Sequence, residues 1–372
     1  MRETVVRDVI QLFENWVPKS YAESWDNVGL QIGDMEKPVK RLMITLDVVE
    51  KVVDEAIDKK ADMIIAHHPL FFESLKSINL NSPKGKVIAK LMKHQISVYT
   101  AHTNLDIAEG GVNDLLAEKL ELRDTKVLVP TKTDHLLKFI AYVPHTHVDS
   151  FKEAIGNAGA GHIGNYSHCT FQSEGKGAFK PLSGTNPFIG TQGEIEQVNE
   201  YKVETIIKES QLEYMIQVAQ EAHPYEEMAY DIVPLQNKGK VNGLGRYGKI
   251  DKKMNLEEYV EVVKKAYQVP FVRFVGNKEK TVKKVAILGG SGKGFIKQAQ
   301  KVGADLYITG DLTFHDAQDA EQAGISLIDP GHHIEEVMKK GVQSYFQQNK
   351  KNLPSPIEVE VSDLTTEPFQ WG

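Results

Sequence analysis

The first hundred residues alternate between helical and strand-like patterns of apolar side chains. Three- and four-residue spacing of Val6, Val9, Ile10, Phe13 and Trp16 predicts an amphipathic helix over residues 3–16. Short apolar runs predict strands at 41–46, 63–66 and 96–101, and the segments 50–60 and 83–94 between them predict helices. This β-α-β-α-β order predicts parallel strands joined by right-handed crossovers.

The pattern changes after a helix predicted at residues 112–120. Strand-like segments at 136–143 and 201–207, helices at 148–157 and 211–222, and a further strand after residue 223 give the order β-α-β-β-α-β. That order is ferredoxin-like. A linker punctuated by glycines is predicted at 237–248. We therefore predict an inserted α+β domain at 126–239, within an α/β domain formed by 1–125 and 240–372.

The last part of the chain shows the same alternation of predicted helices and strands as the first. A helix is predicted at 256–267, strands at 284–288, 304–309 and 325–328, a helix ending near residue 346, and an edge strand at 357–361. The predicted fold class is therefore α/β: a layered α/β domain of two related halves that carries the ferredoxin-like insert.

Composition narrows the functional classes. The chain has 372 residues, which suggests at least two domains, and its net charge of −7 argues against a general nucleic-acid binder. Its single cysteine, Cys169, excludes an internal disulfide and a thiolate zinc cage. No apolar run approaches the ~20 residues of a membrane span, and residues 1–8 lack an apolar signal core. We expect a cytoplasmic protein with no membrane contact.

Two adjacent histidines follow the strand at 63–66. Neighbouring residues of an extended chain point to opposite sides, so His67 and His68 can reach two points just past the strand end. Two metal ions are the simplest use of that geometry, and a pair of capping histidines bonded to loop backbone is the alternative. The strand at 96–101 leads into His102 and Asp106, and strand ends of an open α/β sheet meet at one edge. Asp106 is the candidate bridging carboxylate, with a loop-capping aspartate as the alternative.

A second histidine pair lies near the C-terminus. His332 and Glu336 are four residues apart at a predicted helix start and share a face, while Glu335 is the rival because positions i and i+3 also meet. The candidate metal ligands share nitrogen or oxygen donors and are His67, His68, Asp106, His332 and Glu336. About three protein ligands per ion leave room for water, which is typical of a catalytic site and suits Zn, Fe or Mn.

The candidates for catalysis beside these ligands are His102, His315 and Asp311, with Asp47 as the alternative to Asp311. His102 or His315 could transfer a proton, and Asp311 or Asp47 could orient the group that does so. The glycine-rich turn at 289–294 could hold a phosphate through its backbone N–H groups, with a tightly packed turn as the alternative. The segment 24–33, which contains Trp25-Asp26-Asn27-Val28-Gly29, is interpreted as a tight loop with a buried tryptophan, with a supporting role beside the site as the alternative.

Several of these motifs together resemble one known family. They are Trp25-Asp26-Asn27-Val28-Gly29-Leu30, Ala66-His67-His68-Pro69, His102-Thr103-Asn104-Leu105-Asp106, Thr309-Gly310-Asp311, and Gly331-His332-His333 with Glu336. In this order they resemble the GTP cyclohydrolase 1 type 2 homologue family, also called NGG1-interacting-factor-like. The resemblance implies a dinuclear site with the five ligands above and a ring-shaped homohexamer. His-Pro-Tyr-Glu-Glu at 223–227 resembles the PII/CutA-like domain of longer family members.

Two functions of different kinds are compatible with this pattern. The first is a metal-dependent hydrolase resembling GTP cyclohydrolase, in which hydroxide attacks the ring of a nucleotide substrate. The alternative is a non-catalytic metal-handling or regulatory protein whose insert senses a ligand. A purely structural site, whose loss would unfold the chain, is a third interpretation.

Overall fold

The chain forms two compact units. In the computed structural model, which describes residues 2–370, one unit comprises Met1–Lys132 and Asn242–Gly372 and the other comprises Thr133–Val241. The strands are β1 (Gly29–Ile32), β2 (Arg41–Thr45), β3 (Met63–Ala66), β4 (Ser97–Thr100), β5 (Arg123–Pro144), β6 (Thr170–Phe179), β7 (Glu196–Lys208), β8 (Tyr230–Asn255), β9 (Arg273–Val275), β10 (Thr281–Ile287), β11 (Leu306–Ile308), β12 (Ser326–Asp329) and β13 (Glu358–Val361). Within residues 2–370, no helix combines the length and the apolar character that a membrane crossing requires.

The helices fall close to the segments with helical spacing. They are α1 (Val6–Glu14), α2 (Glu50–Asp58), α3 (Pro83–Lys93), α4 (Thr103–Ile107), α5 (Val112–Lys119), α6 (Val148–Asn157), α7 (Leu212–Ala222), α8 (Leu256–Tyr267), α9 (Ile296–Lys301), α10 (Phe314–Gln322) and α11 (Val337–Asn349). The short helix α4, which carries Asp106, was not predicted because five residues are too few for a periodic pattern.

The first unit contains a five-stranded sheet in the order β1-β4-β3-β2-β13. β2, β3 and β4 pair in parallel, which confirms the prediction from their β-α-β-α-β order. β13 adds to β2 in parallel as an edge strand, also as predicted. β1 pairs antiparallel with β4 and was missed, because its residues were interpreted as part of a loop.

A second set of paired strands in the first unit has a similar arrangement. β10, β11 and β12 are parallel neighbours, the last residues of β8 pair antiparallel with β10, and β9 pairs antiparallel with β12. One core joins both sheets: Ile44 and Ile65 of the first and Ile287 and Ile308 of the second are fully buried in it, together with Phe13 of α1. The parallel strands are buried on both faces, which explains their continuous apolar runs.

The second unit has the element order β5, α6, β6, β7, α7, β8, with strand neighbours β6-β7-β5-β8. Phe139, Phe151 and Met215 are buried in its own core. The predicted linker at 237–248 is wrong, because these residues continue β8. Its glycines allow close strand approach: a Cβ at Gly239 would lie 2.0 Å from the Asp134 carbonyl oxygen, and one at Gly243 2.0 Å from that of Val129.

Candidate metal centre

The carboxyl ends of strands from both sheets of the first unit converge. His67 and His68 follow β3 directly, and their backbone N–H groups bond the Leu46 carbonyl that follows β2. His102 follows β4, and the next turn, α4, carries Asp106. His332 follows β12 after Gly331, whose φ of 90° lets the chain turn sharply. The histidines therefore lie together at the edge where the carboxyl ends of the parallel strands meet.

The converging side chains form three groups that could each hold a metal ion, and two of these groups share Glu335. Nε2 of His67 lies 3.7 Å from Asp106 Oδ1 and 3.7 Å from Glu335 Oε2. The same Glu335 oxygen lies 3.1 Å from His68 Nε2 and 3.1 Å from His332 Nε2. One ligand group is therefore His67, Asp106 and Glu335, the other is His68, His332 and Glu335, and Glu335 is common to both; these five residues are called the cluster below. The third group that could hold an ion is His67, His68 and His102.

Each imidazole is held by a hydrogen bond at Nδ1. The acceptor is the Ala101 carbonyl for His67 (2.9 Å), Asp47 for His68 (2.6 Å), Asp26 for His102 (2.9 Å) and Asp311 for His332 (2.8 Å). This bond fixes the ring orientation and leaves Nε2 available as a ligand atom, which is the usual arrangement of metal-binding histidines.

Two buried atoms of the cluster indicate whether a cation fits between its side chains. His67 Nε2 and Asp106 Oδ1 have no hydrogen-bond partner among the described residues. His67 is fully buried and Asp106 is 9% exposed, so both atoms would lose hydration without compensation. A cation between them would satisfy both, since neutral imidazole and carboxylate are its natural ligands. The residues present therefore fit a metal ion.

The pKa values of the cluster also indicate a site for positive charge. Burial and the neighbouring Glu335 carboxylate raise the pKa of Asp106 to about 8. Burial alone would raise the pKa of Glu335, but hydrogen bonds from His332 and His68, together with the nearby His67 ring, hold it well below its usual value. Burial disfavours the charged His68 ring, yet hydrogen bonds to Asp47 and Glu335 raise its pKa to about 10. The cluster thus attracts positive charge, which protons or metal ions can supply.

The structure brings Glu335, and not Glu336, to the histidines. The prediction of Glu336 assumed an α-helix, in which residues i and i+4 share a face. Residues His332–Glu336 instead form a 3-10 helix, in which residues i and i+3 lie above one another. Glu335 is buried in the cluster, whereas Glu336 is half-exposed and pairs with Lys339 at 3.2 Å. The other predicted ligands, His67, His68, Asp106 and His332, all lie in the cluster.

The common carboxylate also differs from the prediction. Asp106 was the candidate bridge, but it belongs to the group with His67, while Glu335 belongs to both groups. The glycine-rich turn at 289–294 makes room for Glu335, because a Cβ at Gly290 would lie 2.6 Å from its Oε1. The N–H groups of Gly289 and Gly292 donate to Asn113 and Thr309 (3.0 and 2.8 Å), so this turn is tied to protein rather than open to phosphate.

The three predicted catalytic residues have different positions. His102 lies beside the cluster, with ring centroids 5.2 Å from His67 and 5.8 Å from His68. Asp311 orients His332, as described above. His315 is exposed on α10 against the ring of Phe314 and lies outside the cluster, because the exposed start of α10 turns it towards solvent.

The structure adds Asp26 and Trp25 to the site. Asp26 accepts hydrogen bonds from His102 and from the backbone N–H of Thr103 (both 2.9 Å). Burial alone would raise the pKa of Asp26, but the hydrogen bond from His102 lowers it. Trp25 is 65% exposed, so the prediction of a buried tryptophan is wrong. The Asp-Asn turn was the available signal, but turn chemistry also explains such residues and does not reveal what they contact.

A cavity of about 600 Å³ opens over the cluster. His68, His102, Asp106 and His332 lie in its wall, and the aromatic side chains around it are Trp25, Phe72 and Phe295. Trp25 and Phe72 meet the His102 ring at steep angles, with centroids 6.0 and 5.8 Å away. Its size is in the usual range of small-molecule sites.

The sequence similarity to known proteins covers nearly the whole chain. A protein named GTP cyclohydrolase 1 type 2 homolog from Bacillus subtilis is 50% identical over 365 residues, 98% of each chain. One of the same name from Halalkalibacterium halodurans is 49% identical over 363 residues, again 98% of each chain. The crystal structure of a Bacillus cereus protein related to NIF3 is 47% identical, with a TM-score of 0.92 over 100% of both chains.

The family model described as Duf34/NIF3 (NGG1p interacting factor 3) matches residues 4–368. The resemblance drawn from the short motifs is thereby confirmed. The match includes both units and every residue of the cluster. The chain belongs to the Duf34/NIF3 family.

Proposed function

We propose that the chain is a metal-dependent hydrolase that holds two divalent ions, Zn, Fe or Mn. The observation that carries the proposal is the pair of ligand groups that share Glu335 in the wall of a cavity of about 600 Å³. When bound there, two ions would lower the pKa of a shared water and stabilise the negative charge that develops as it attacks. His67 and Asp106 would hold one ion, His68 and His332 the other, and Glu335 would contact both.

His102 is the residue best suited to move a proton. Its Nδ1 is fixed by Asp26, and its ring lies against His67 and His68. Its Nε2 is therefore free to accept a proton from a water above the ligands and to pass it to a leaving group. Asp26 would hold the ring in the tautomer that this step requires.

We propose a purine nucleotide such as GTP as the substrate. The support is the aromatic wall of the cavity, because the exposed rings of Trp25 and Phe72 offer a base a surface to stack on. The names of the Bacillus and Halalkalibacterium relatives agree with this class. Attack of water at C8 of the base would open the imidazole ring and release formate on further hydrolysis.

The test measures formate after incubation of the metal-loaded protein with GTP. We expect release by the wild type, none by His67→Ala or Glu335→Gln, and wild-type release by Glu336→Gln. The last variant is a matched control, because Glu336 is the chain neighbour of Glu335 and lies outside the cluster. No release by the wild type, or equal release by Glu335→Gln, would remove the hydrolase proposal.

A non-catalytic metal-handling or regulatory function is the second candidate. The observation that favours it is a separate cavity in the second unit, which would suit a ligand-sensing insert. Exchangeable metal binding without turnover of any of the common nucleotides would support it over hydrolysis.

We further propose that the second unit is a PII/CutA-like insert and that the protein assembles as a ring-shaped homohexamer. The β-α-β-β-α-β order of that unit, with strand neighbours β6-β7-β5-β8, supports a ferredoxin-like insert. The family resemblance is the support for the hexamer. Light scattering of the intact protein tests it, with a mass of six chains expected and a monomeric mass contradicting it.

A further inference from the structure

A second cavity, of about 1020 Å³, lies entirely within the second unit. It is bounded by β6 and β7, by the segment 180–195 that connects them, and by residues 225–229 after α7. The metal centre of the first unit contributes none of the residues that line it. Its function is therefore a separate question from hydrolysis.

A buried carboxylate lies in the wall of this cavity. Glu200 is 8% exposed, and the Tyr225 hydroxyl donates to its Oε1 at 3.2 Å. A Cβ at position 177 would lie 2.1 Å from its Oε2, so Gly177 provides the space for the second oxygen. Burial raises the pKa of Glu200, against the hydrogen bond from Tyr225. A neutral phenol leaves the charge of an ionised Glu200 without compensation.

Three aromatic rings line the same cavity as Glu200. The Tyr225 ring lies 5.5 Å from that of Phe179 and 6.4 Å from that of Phe188, at interplanar angles of 58° and 47°. The negative π faces of such rings attract a cation that has shed part of its water. Phe188 is 54% exposed at the rim, and its ring also meets that of His147, with centroids 5.4 Å apart.

Hydrogen bonds hold the connecting segment 180–195 in place as one wall of the cavity. The backbone N–H of Asn186 donates to Glu226 (2.9 Å), that of Gly193 to the Pro181 carbonyl (2.9 Å), and the Gln192 amide to the Thr185 carbonyl (2.6 Å). These bonds keep the segment folded over the cavity. Preorganisation of this kind lowers the entropy cost of binding a ligand.

The remaining charges around the cavity are more exposed than Glu200. Their positive and negative charges are equal in number, and the residues that carry them are Lys176, Lys180, Lys202, Glu174, Glu226 and Glu227. Water screens such charges, so the buried carboxylate dominates the local field. We propose that this cavity binds a small organic cation, with its ammonium group among the rings of Phe179, Phe188 and Tyr225 and with Glu200 as its counter-charge.

Calorimetric titration of the full-length protein tests the proposal with two cations and a neutral control. The probes are choline and benzyltrimethylammonium, and the control is 3,3-dimethylbutanol, which has the shape of choline without its charge. We expect both cations to bind, benzyltrimethylammonium more tightly because of its apolar ring, and no detectable binding of the alcohol. Glu200→Gln should weaken binding of the cations by roughly tenfold or more.

A matched control variant separates loss of charge from loss of structure. Glu213 is an exposed carboxylate of α7 in the same unit and lies outside the cavity lining, so Glu213→Gln should bind the cations like the wild type. If Glu200→Gln fails to fold, Phe188→Ala at the exposed rim replaces it, with several-fold weaker binding expected. Equal affinity for choline and the alcohol, wild-type affinity of Glu200→Gln, or no binding of either cation would overturn the proposal.

Discussion

Nε2 of His68 and Oε2 of Glu335 lie 3.1 Å apart, although 267 positions separate the two residues in the chain. His68 belongs to the end of β3 in the first sheet and Glu335 to the turn after β12 in the second. Glu335 therefore joins ligands from both sheets, because it belongs to the group with His67 and Asp106 and to the group with His68 and His332. The following predictions test what holds this contact in place and what it is for.

Gly290 should be essential for the position of Glu335. Its φ is 60°, and an added Cβ would lie 2.6 Å from Glu335 Oε1, so Gly290→Ala combines backbone strain with a clash. We expect the free energy of unfolding to fall by about 1–2 kcal/mol and metal affinity to fall with it. Gly294→Ala is the control, because a Cβ there meets nothing within 4 Å. Urea unfolding and metal titration measure the two effects, and wild-type metal affinity of Gly290→Ala would contradict the prediction.

Asp311 should control the affinity of His332 for metal. Its carboxylate accepts the Nδ1–H of His332 at 2.8 Å, which fixes the ring and increases the basicity of Nε2. We expect Asp311→Asn to reduce metal affinity roughly 10- to 100-fold. Competition with a chromophoric chelator measures this change. Asp319→Asn, at an exposed position of α10, serves as the control and should bind metal normally.

Trp25 should contribute to ligand binding and little to stability. It is 65% exposed and lines the cavity over the cluster. If a nucleotide base stacks there, Trp25→Ala should weaken nucleotide binding at least about fivefold while the melting temperature and metal content stay unchanged. Phe314→Ala removes an equally exposed ring, 71% accessible, from a surface outside that cavity and should leave binding unchanged. Equal affinities of the Trp25 variant and the wild type would exclude this role.

Glu55 should make stability depend on pH. Burial opposes its charge, but hydrogen bonds from Ser362, Lys59 and the Asp363 N–H hold its pKa below the ordinary 4.5. A lowered folded-state pKa gives stability that is present above 4.5 and is lost as pH falls through the folded-state value. Glu55→Gln should therefore be less stable than the wild type by about 1 kcal/mol at neutral pH.

Denaturant unfolding at several pH values measures this difference. The gap between Glu55→Gln and the wild type should shrink below pH 4.5, as the wild-type carboxylate takes up a proton. Glu118→Gln, at an exposed position of α5, is the control and should show no such gap. A gap that stays constant as pH falls would show that the Glu55 charge is not the cause.

Periodicity and strand ends predicted much of the first unit from the sequence. β3 and α8 match the apolar patterns residue for residue, because buried parallel strands and amphipathic helices leave strong signals. Of the site, His67, His68, Asp106 and His332 could be placed together because parallel strands deliver their ends to one edge.

The remaining features depended on geometry that local pattern does not encode. The choice between Glu335 and Glu336 depends on a 3-10 turn, and five residues do not reveal whether their helix is tight or ordinary. Residues 237–248 of β8 were mistaken for a linker because glycines that allow close strand approach look like flexible ones in sequence. The role of Asp26 depends on a contact with His102, 76 positions away.

Metal analysis of three proteins tests the central claim most directly: the wild type, Glu335→Gln and Glu336→Gln, each loaded with Mn²⁺, Fe²⁺ or Zn²⁺ and desalted. We expect about two ions per chain in the wild type and in Glu336→Gln, and fewer than one in Glu335→Gln, because Glu335 is common to both ligand groups. Wild-type metal content in Glu335→Gln, or loss of metal in Glu336→Gln instead, would contradict the account.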